Sequence, residues 1–540
     1  MMLFDRVQNM SRGRAARWSL ASAVLLWASY FPCDFGFLSW IALVPLLVTV
    51  RVASGGVAQM AAWIAGLCFY LPAISWMRVA DPTMIVAWIL LSIYCAAHMV
   101  FSVWLLRRID RKFNLPFALT VPLVWTADEF LRGRLGGGFS WYFLGHAQHA
   151  ALPMIQIADV GGELFVTFVV AAVNGWFADL LTRPSRSLCW SATVVGCLLI
   201  ASVGYGYRRL SQSQFTPGPK VSLIQGNIEQ NVRNDLFFKT GKEYAEYVEK
   251  HFFDLCQQAA KEKPDLIIWP ETSLPGEIYF DAPGIAHDAV RFNHRAMIDE
   301  SAENMKRLGK YWGISQLLGA NCAEFGPGDK ERRFNSAVLV DRERGYSARY
   351  NKIHCVPFGE YVPLVDYMPW LQKFTPYEGN YSLTPGNQLI HLPVTSADSG
   401  PFYFGTLICY EDAVTQLARG YVAANTPHVD FLVNISNDGW FKGTSEHEQH
   451  LAICQFRAVE CRRAVVRAVN MGISAVIDSN GRVTHLPGPT WSASKAIAAV
   501  VTATVPIDHR FSRYAMFGDW LPWTCIAIVF SMVLWPRWSR

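Results

Sequence analysis

The sequence predicts an α/β soluble domain inserted before the last helix of an eight-span α-helical membrane domain. Three observations predict it. Apolar residues make up 52% of 540 residues, a chain too long for one ordinary core. Those residues concentrate in 18–207 and 514–535, while the stretch between carries most of the Lys, Glu and Asp. Within that stretch, short β-branched or apolar runs alternate with helical patterning, the signature of a layered α/β domain.

Taken in order, apolar stretches near 18–33, 37–50, 55–77, 84–106, 117–131, 163–181, 187–205 and 514–535 each approach the length that crosses ~30 Å of hydrocarbon as helix. The first, second and fifth are short for a crossing. The first follows Arg12, Arg14 and Arg17 without a small-residue cleavage site, so it is expected to be retained rather than removed as a signal peptide. With the N-terminus inside, Arg51, the cluster Arg107, Arg108, Arg111 and Lys112, the pair Arg183 and Arg186, and the pair Arg537 and Arg540 all fall on the cytoplasmic side. Arg132 and Arg134 fall outside, against that trend. The expected organisation is a membrane domain over 1–207, a catalytic domain over 208–513 on the outer side, and a last helix with a short cytoplasmic tail over 514–540.

In the central segment, Val221 to Gln225, Asp265 to Trp269, Trp312 to Leu318, Ser336 to Val340, Tyr403 to Cys409 and Phe431 to Ile435 are predicted strands. Helical patterning fits 240–260, 295–309 and 445–462. Asp478, Ser479, Asn480 and Gly481 predict a hairpin turn between Ala475 to Ile477 and Arg482 to His485.

Composition excludes some classes. A net charge of +5 with no basic stripe interleaved with aromatics argues against nucleic acid. Twelve cysteines without a CxxC or regular spacing argue against a zinc site and a disulfide framework. The run His447, Glu448, Gln449, His450 separates its histidines by three rather than the four of HExxH, so no metal is expected there.

Three patterns carry reactive side chains: Trp269, Pro270, Glu271 after a strand; Tyr350, Asn351, Lys352 leading into Pro357, Phe358, Gly359, Glu360; and Ile408, Cys409, Tyr410, Glu411 after another strand. Ligand sites in layered α/β folds gather at the carboxyl ends of strands, so one pocket could receive all three. A thiolate is a strong nucleophile toward acyl carbon, a carboxylate can take the thiol proton, and an ammonium can face a developing oxyanion.

Together, in the order Glu, Lys, Cys, these residues resemble the catalytic motifs of the nitrilase, or carbon-nitrogen hydrolase, superfamily, which implies an αββα sandwich. A domain of that kind set between the last two of eight spans is similar to the apolipoprotein N-acyltransferase family. Trp125, Glu129, Arg132 and Gly133, then Gly138, Phe139, Trp141, Leu144, Gly145 and Gln148, fit that family's stretch at the outer side of the bilayer. Gln225, Gly226 and Asn227, and the run Asn434 to Phe441, also fit. The family often carries Trp where Asn234 stands here.

The resemblance implies Glu271 as general base, Lys352 as oxyanion stabiliser and Cys409 as nucleophile. It implies Glu360 and Glu411 as supporting carboxylates and the Tyr410 backbone N–H as a second oxyanion donor. Glu129, Arg132 and Trp141 stand as candidates for substrate binding at the outer interface. The implied reaction moves an acyl chain from a phospholipid to Cys409 and then to the α-amine of a diacylglyceryl apolipoprotein, without metal or organic cofactor. The implied setting is the periplasmic face of a bacterial inner membrane, and nothing requires more than a monomer. A membrane-anchored amidase and a non-catalytic lipid-binding membrane protein are the alternatives.

Overall fold

The computed structural model describes residues 10–536, except 184–185, 213, 229, 327–330, 363, 366, 375–381, 397–398 and 424–427; the side chains of 186–187 and 230–245 are also outside the description. The chain divides into two compact units, one of Met1–Arg78, Met84–Ser213 and Ser512–Arg540, the other of Val79–Thr83 and Gln214–Phe511.

The first unit is helical. Among the described residues, four helices are long and apolar enough to cross a membrane: Gly55–Ala73, Met84–Phe113, Glu163–Thr182 and Leu188–Ser211. The other expected stretches are helical but short: Arg12–Ala28 has 17 residues, Val44–Val52 has 9, Phe117–Arg132 has 16 and Trp520–Leu534 has 15. At 1.5 Å per residue, sixteen residues reach only about 24 Å.

Buried charge ties these helices together. Arg51 donates to Asp110 at 3.3 Å and to Asp179 at 2.5 Å, while the other Asp179 oxygen accepts the Ala118 N–H at 2.9 Å. Lys112 donates to the carbonyls of Met532 at 2.9 Å and Val533 at 3.3 Å, and also to that of Trp535. These carbonyls end a helix and lack intrahelical partners, and an ammonium there also suits the helix dipole.

Among the described residues the second unit has thirteen strands: β1 (Thr216–Gln225), β2 (Leu266–Ile268), β3 (Glu277–Asp281), β4 (Ser315–Phe325), β5 (Glu331–Asp341), β6 (Gly345–Asn351), β7 (Leu392–Ser396), β8 (Gly400–Ile408), β9 (Phe431–Ser436), β10 (Ala464–Val469), β11 (Ala475–Ile477), β12 (Val483–His485) and β13 (Ala499–Ile507). They form two sheets, β13-β1-β2-β4-β5-β6 with β3 on β4, and β12-β11-β10-β9-β8-β7. The strands β1, β2 and β4 are parallel in one sheet, and β8, β9 and β10 in the other.

Alternation along the strands decides the layers. Val221, Leu223, Ile268, Leu317, Ala337 and Leu339 of the first sheet share one buried core with Ile408, Val433, Ile435 and Val466 of the second. Their neighbours Ile224, Ile267, Leu318, Val338 and Val340 point the other way, onto Val248, Phe252 and Leu255 of helix Gln230–Lys261 and Met305 of helix Phe292–Trp312. Leu451, Cys454 and Ala458 of helix Glu446–Cys461 join the core of the second sheet.

All six predicted strands and the late hairpin are present, with boundaries corrected: Asp265 and Trp269 flank β2, and Cys409 lies just past β8. Trp312 closes a helix rather than opening β4, because Gly313 takes a left-handed φ of 64° and stops the helix there.

Candidate active site

Each motif side chain stands just beyond a strand end. Glu271 follows β2 through Trp269 and Pro270, and this turn lies on Gly319 of β4, whose carbonyl accepts the N–H groups of Ser273 and Leu274. A Cβ on Gly319 would meet the Pro270 oxygen at 1.9 Å, so only glycine lets the turn come this close. Lys352 leaves β6. Cys409 leaves β8 with φ of 53°, a left-handed backbone, and opens the turn Cys409–Ala413.

Glu271 and Lys352 are both nearly fully buried. Glu271 Oε1 accepts from Asn335 Nδ2 at 2.7 Å and from Lys352 Nζ at 3.3 Å, and Oε2 accepts the Asn437 N–H at 2.9 Å. Lys352 Nζ also donates to Glu360 at 2.9 Å. Glu360 accepts Asn335 Nδ2 at 2.9 Å and the Val356 N–H at 2.9 Å. Lys352 thus lies between two carboxylates that Asn335 holds in place.

Glu411 couples the Lys352 loop to the Cys409 turn. Its Oε1 accepts the N–H of Ile353 at 2.7 Å and of His354 at 3.0 Å, its Oε2 accepts the N–H of Ile408 at 2.7 Å, and Tyr350 OH donates to both at 2.9 Å.

The electrostatics follow from burial and these neighbours. Burial pushes the Cys409 thiol well up and Glu271 adds to this, with Lys352 and His450 opposing, so the sulfur rests as a thiol. Burial also raises the Glu271 carboxyl; Lys352 works against the rise and Glu360 with it. Burial disfavours the Lys352 ammonium, but Glu360 and Glu271 outweigh it and hold the proton firmly. Burial opposes ionisation of Glu360 too, and the Lys352 ammonium overrides it to bring that carboxyl below its ordinary value. Burial carries Glu411 up to about 7.

Behind Cys409 lies a second polar cluster that sequence reasoning missed. Asn434 Nδ2 donates to the carbonyls of Leu407 at 3.3 Å and Cys409 at 3.2 Å, and its Oδ1 accepts from Arg467. Arg467 pairs with Asp438 at 2.7 Å and Asp412 at 3.4 Å, and His450 with Asp412 at 2.9 Å and Asp438 at 3.2 Å. Asp438, Glu446 and His450 bring ligand atoms within 4.8 Å of one another, near enough to hold a cation. Arg467 already supplies positive charge at Asp438. Of these residues, Asn434 and Asp438 stand in the quoted run 434–441 and His450 in the run 447–450, while Asp412, Glu446 and Arg467 carried no signal of their own.

The other candidates belong to the first unit, where the structure brings them together with one another. Glu129 accepts from Trp125 Nε1 at 3.0 Å, the Leu144 N–H at 2.8 Å and Thr167 at 2.8 Å. Arg132 donates to the carbonyls of Phe139 at 3.2 Å, Trp141 at 2.9 Å and Tyr142 at 3.4 Å. Trp141 is buried against Trp76 and Phe139. Glu129 and Arg132 therefore fix the backbone of 139–144. The Asn234 side chain lies outside the described residues.

Comparison with known proteins adds sequence relationship to this geometry. Residues 22–176 match the apolipoprotein N-acyltransferase N-terminal domain, and residues 220–509 the carbon-nitrogen hydrolase family. An apolipoprotein N-acyltransferase of Geobacter metallireducens is 32% identical over 523 residues, covering 94% of this chain and 92% of that protein. One of Rhodopirellula baltica is 28% identical over 556 residues, covering 93% and 94%. An amidase from Nesterenkonia sp. of known structure aligns with a TM-score of 0.34 at 16% identity, over 55% of this chain and 94% of that one.

Proposed function

The chain belongs to the apolipoprotein N-acyltransferase family and is an acyltransferase; from that premise we propose that it moves an acyl chain from a membrane phospholipid, through a thioester on Cys409, to the α-amine of the diacylglyceryl-cysteine of an apolipoprotein. The observation that carries the mechanism is the buried set in which Lys352 bridges Glu271 and Glu360 while all three motif turns meet around Cys409.

Glu271 takes the thiol proton as the sulfur attacks the ester carbonyl carbon. The carbonyl electron pair moves onto oxygen, faced by the Lys352 ammonium and the Tyr410 N–H. Collapse breaks the ester C–O bond, and the lysophospholipid alkoxide takes the proton from Glu271. In the second half the acceptor amine attacks the thioester carbon, its proton passes to Glu271, and the leaving sulfur recovers it. Glu360 keeps Lys352 charged and Glu411 holds the two loops in register. No step needs a metal or organic cofactor.

The setting belongs to the same proposal. Eight helices span a bacterial inner membrane, residues 208–513 work at its periplasmic face, and the protein acts as a monomer. Both substrates are lipids and arrive by lateral diffusion. Glu129, Arg132 and Trp141 shape the 139–144 segment of the membrane unit for lipid binding.

The test is incubation of purified protein in detergent with phospholipid carrying a labelled acyl chain, for wild type and Cys409→Ala. A hydroxylamine-labile acyl adduct at Cys409 that passes to a diacylated lipopeptide supports the reading. Absence of the adduct together with hydrolysis of small amides would replace it with an amidase.

A further inference from the structure

The second half of the proposed reaction leaves one proton without a carrier. A peptide α-amine has an ordinary pKa of roughly 7.7–8.0 and meets the thioester largely as ammonium near neutral pH. Ammonium plus thioester gives amide, thiol and one free proton. Of the two N–H protons lost, Glu271 returns one to the sulfur and the other must leave. Lys352 is already protonated and Glu360 is engaged with it.

His354 stands where such a proton could be taken. It lies two residues beyond Lys352, and its N–H donates to the same Glu411 carboxylate that accepts the Ile408 N–H just before Cys409. Its ring stacks on that of Tyr410, the residue after Cys409, with centroids 5.8 Å apart and planes at 29°. The side chain is partly exposed, and among the described residues neither ring nitrogen makes a hydrogen bond. The charged groups that face it are Lys352 and Glu360, with Glu411 at its backbone. Burial first, and then the Lys352 ammonium, hold the imidazole below its ordinary pKa, so it is neutral and able to accept a proton at pH 7.

We propose that His354 is the base that takes the first proton of the acceptor's ammonium and hands it to water, an inference that rests on the thioester reading above. The N–H bond breaks and its electron pair stays on nitrogen as the lone pair that attacks. The proton binds an imidazole nitrogen and passes to solvent. Attack then forms the C–N bond and breaks C–S, and Glu271 moves the second N–H proton to sulfur. The first half of the reaction contains no ammonium to be deprotonated at this point, so His354 has no part in it.

The experiment separates the halves in single turnovers, using the full chain in detergent, a phospholipid with a labelled acyl chain and a diacylated lipopeptide. His354→Gln keeps polarity without a useful base, and His354→Phe keeps an aromatic face against Tyr410. Both are expected to form the Cys409 thioester at the wild-type rate, which also shows that they fold. Both then transfer it up to about 10-fold more slowly at pH 7, where an amine of pKa about 8 is only about one-tenth free base. That loss closes as pH rises through the amine's own pKa of about 8, and added imidazole restores part of it at pH 7. Wild-type transfer in both variants would overturn the role, as would equal slowing of both halves or a loss that persists at high pH. A wild-type protein that forms no thioester would instead sink the parent reading.

Discussion

Glu271 must be a base while hydrogen-bonded to an ammonium, and these demands move its proton affinity in opposite directions. Burial wins, Glu360 adds to it, and the carboxyl sits above its ordinary value. The base acts ionised, so thioester formation falls as pH drops through that raised value. The acid limb of its rate profile is therefore expected above the ordinary glutamate pKa of about 4.3. Glu360→Gln removes a like charge and should move that limb down. Glu271→Gln should slow thioester formation by about 10²–10⁴. A limb that ignores Glu360 would mean another group is the base. At Glu411, a glutamine could not accept through its nitrogen where the carboxylate now takes three backbone N–H groups and Tyr350. Glu411→Gln should cost about 1–3 kcal/mol, read as a lowered thermal midpoint.

At the scale of elements, the site is a set of strand ends, and what holds it was only partly legible. Short reactive motifs after apolar strands were visible in the chain, and so were the strands, because β-branched runs show in sequence. Asn335, which bonds both Glu271 and Glu360, was not. One polar residue inside β5 looks like any outward-facing strand position until the second sheet is packed on it. Strand β10 was hidden for a related reason: Arg467 interrupts Ala464–Val469, and an arginine in a six-residue strand reads as surface. Here it is fully buried on Asp412 and Asp438 beneath the Cys409 turn. Arg467→Met leaves those acids without their cation and should cost about 3–5 kcal/mol, while Arg467→Lys recovers part of it. Thermal unfolding in detergent measures both, and an unchanged midpoint for Arg467→Met would mean that His450 alone neutralises the pair.

For the whole molecule, composition separates a helical part from an α/β part, whereas the short segment Val79–Thr83, which falls in the second compact unit, carries no compositional mark. The number of crossings is harder to read, since Phe117–Arg132 carries Asp128, Glu129 and Arg132 in sixteen residues. Its polar groups are spent inside the unit, which hydropathy along one segment does not reveal. With eight spans, a cysteine-directed, membrane-impermeant reagent applied to intact cells should label a new cysteine at exposed Tyr367 but not one in place of Arg111. Equal labelling of both would overturn the topology. Lys112→Ala should loosen the last helix, measured as faster proteolysis after Leu534.

The pairing of β1 with β13 joins Thr216 to Ile507 and Gln225 to Ala499, so the first strand of the soluble unit waits for its last. At about 5–20 residues per second of synthesis, that wait is on the order of tens of seconds. Through it, β1 has β2 on one side and an open row of N–H and C=O groups on the other, a template for any passing strand. Completion of this sheet thus coincides with the moment the ribosome reaches the final helix. A chain that stops before residue 499 would emerge with most of its site encoded and its edge still adhesive.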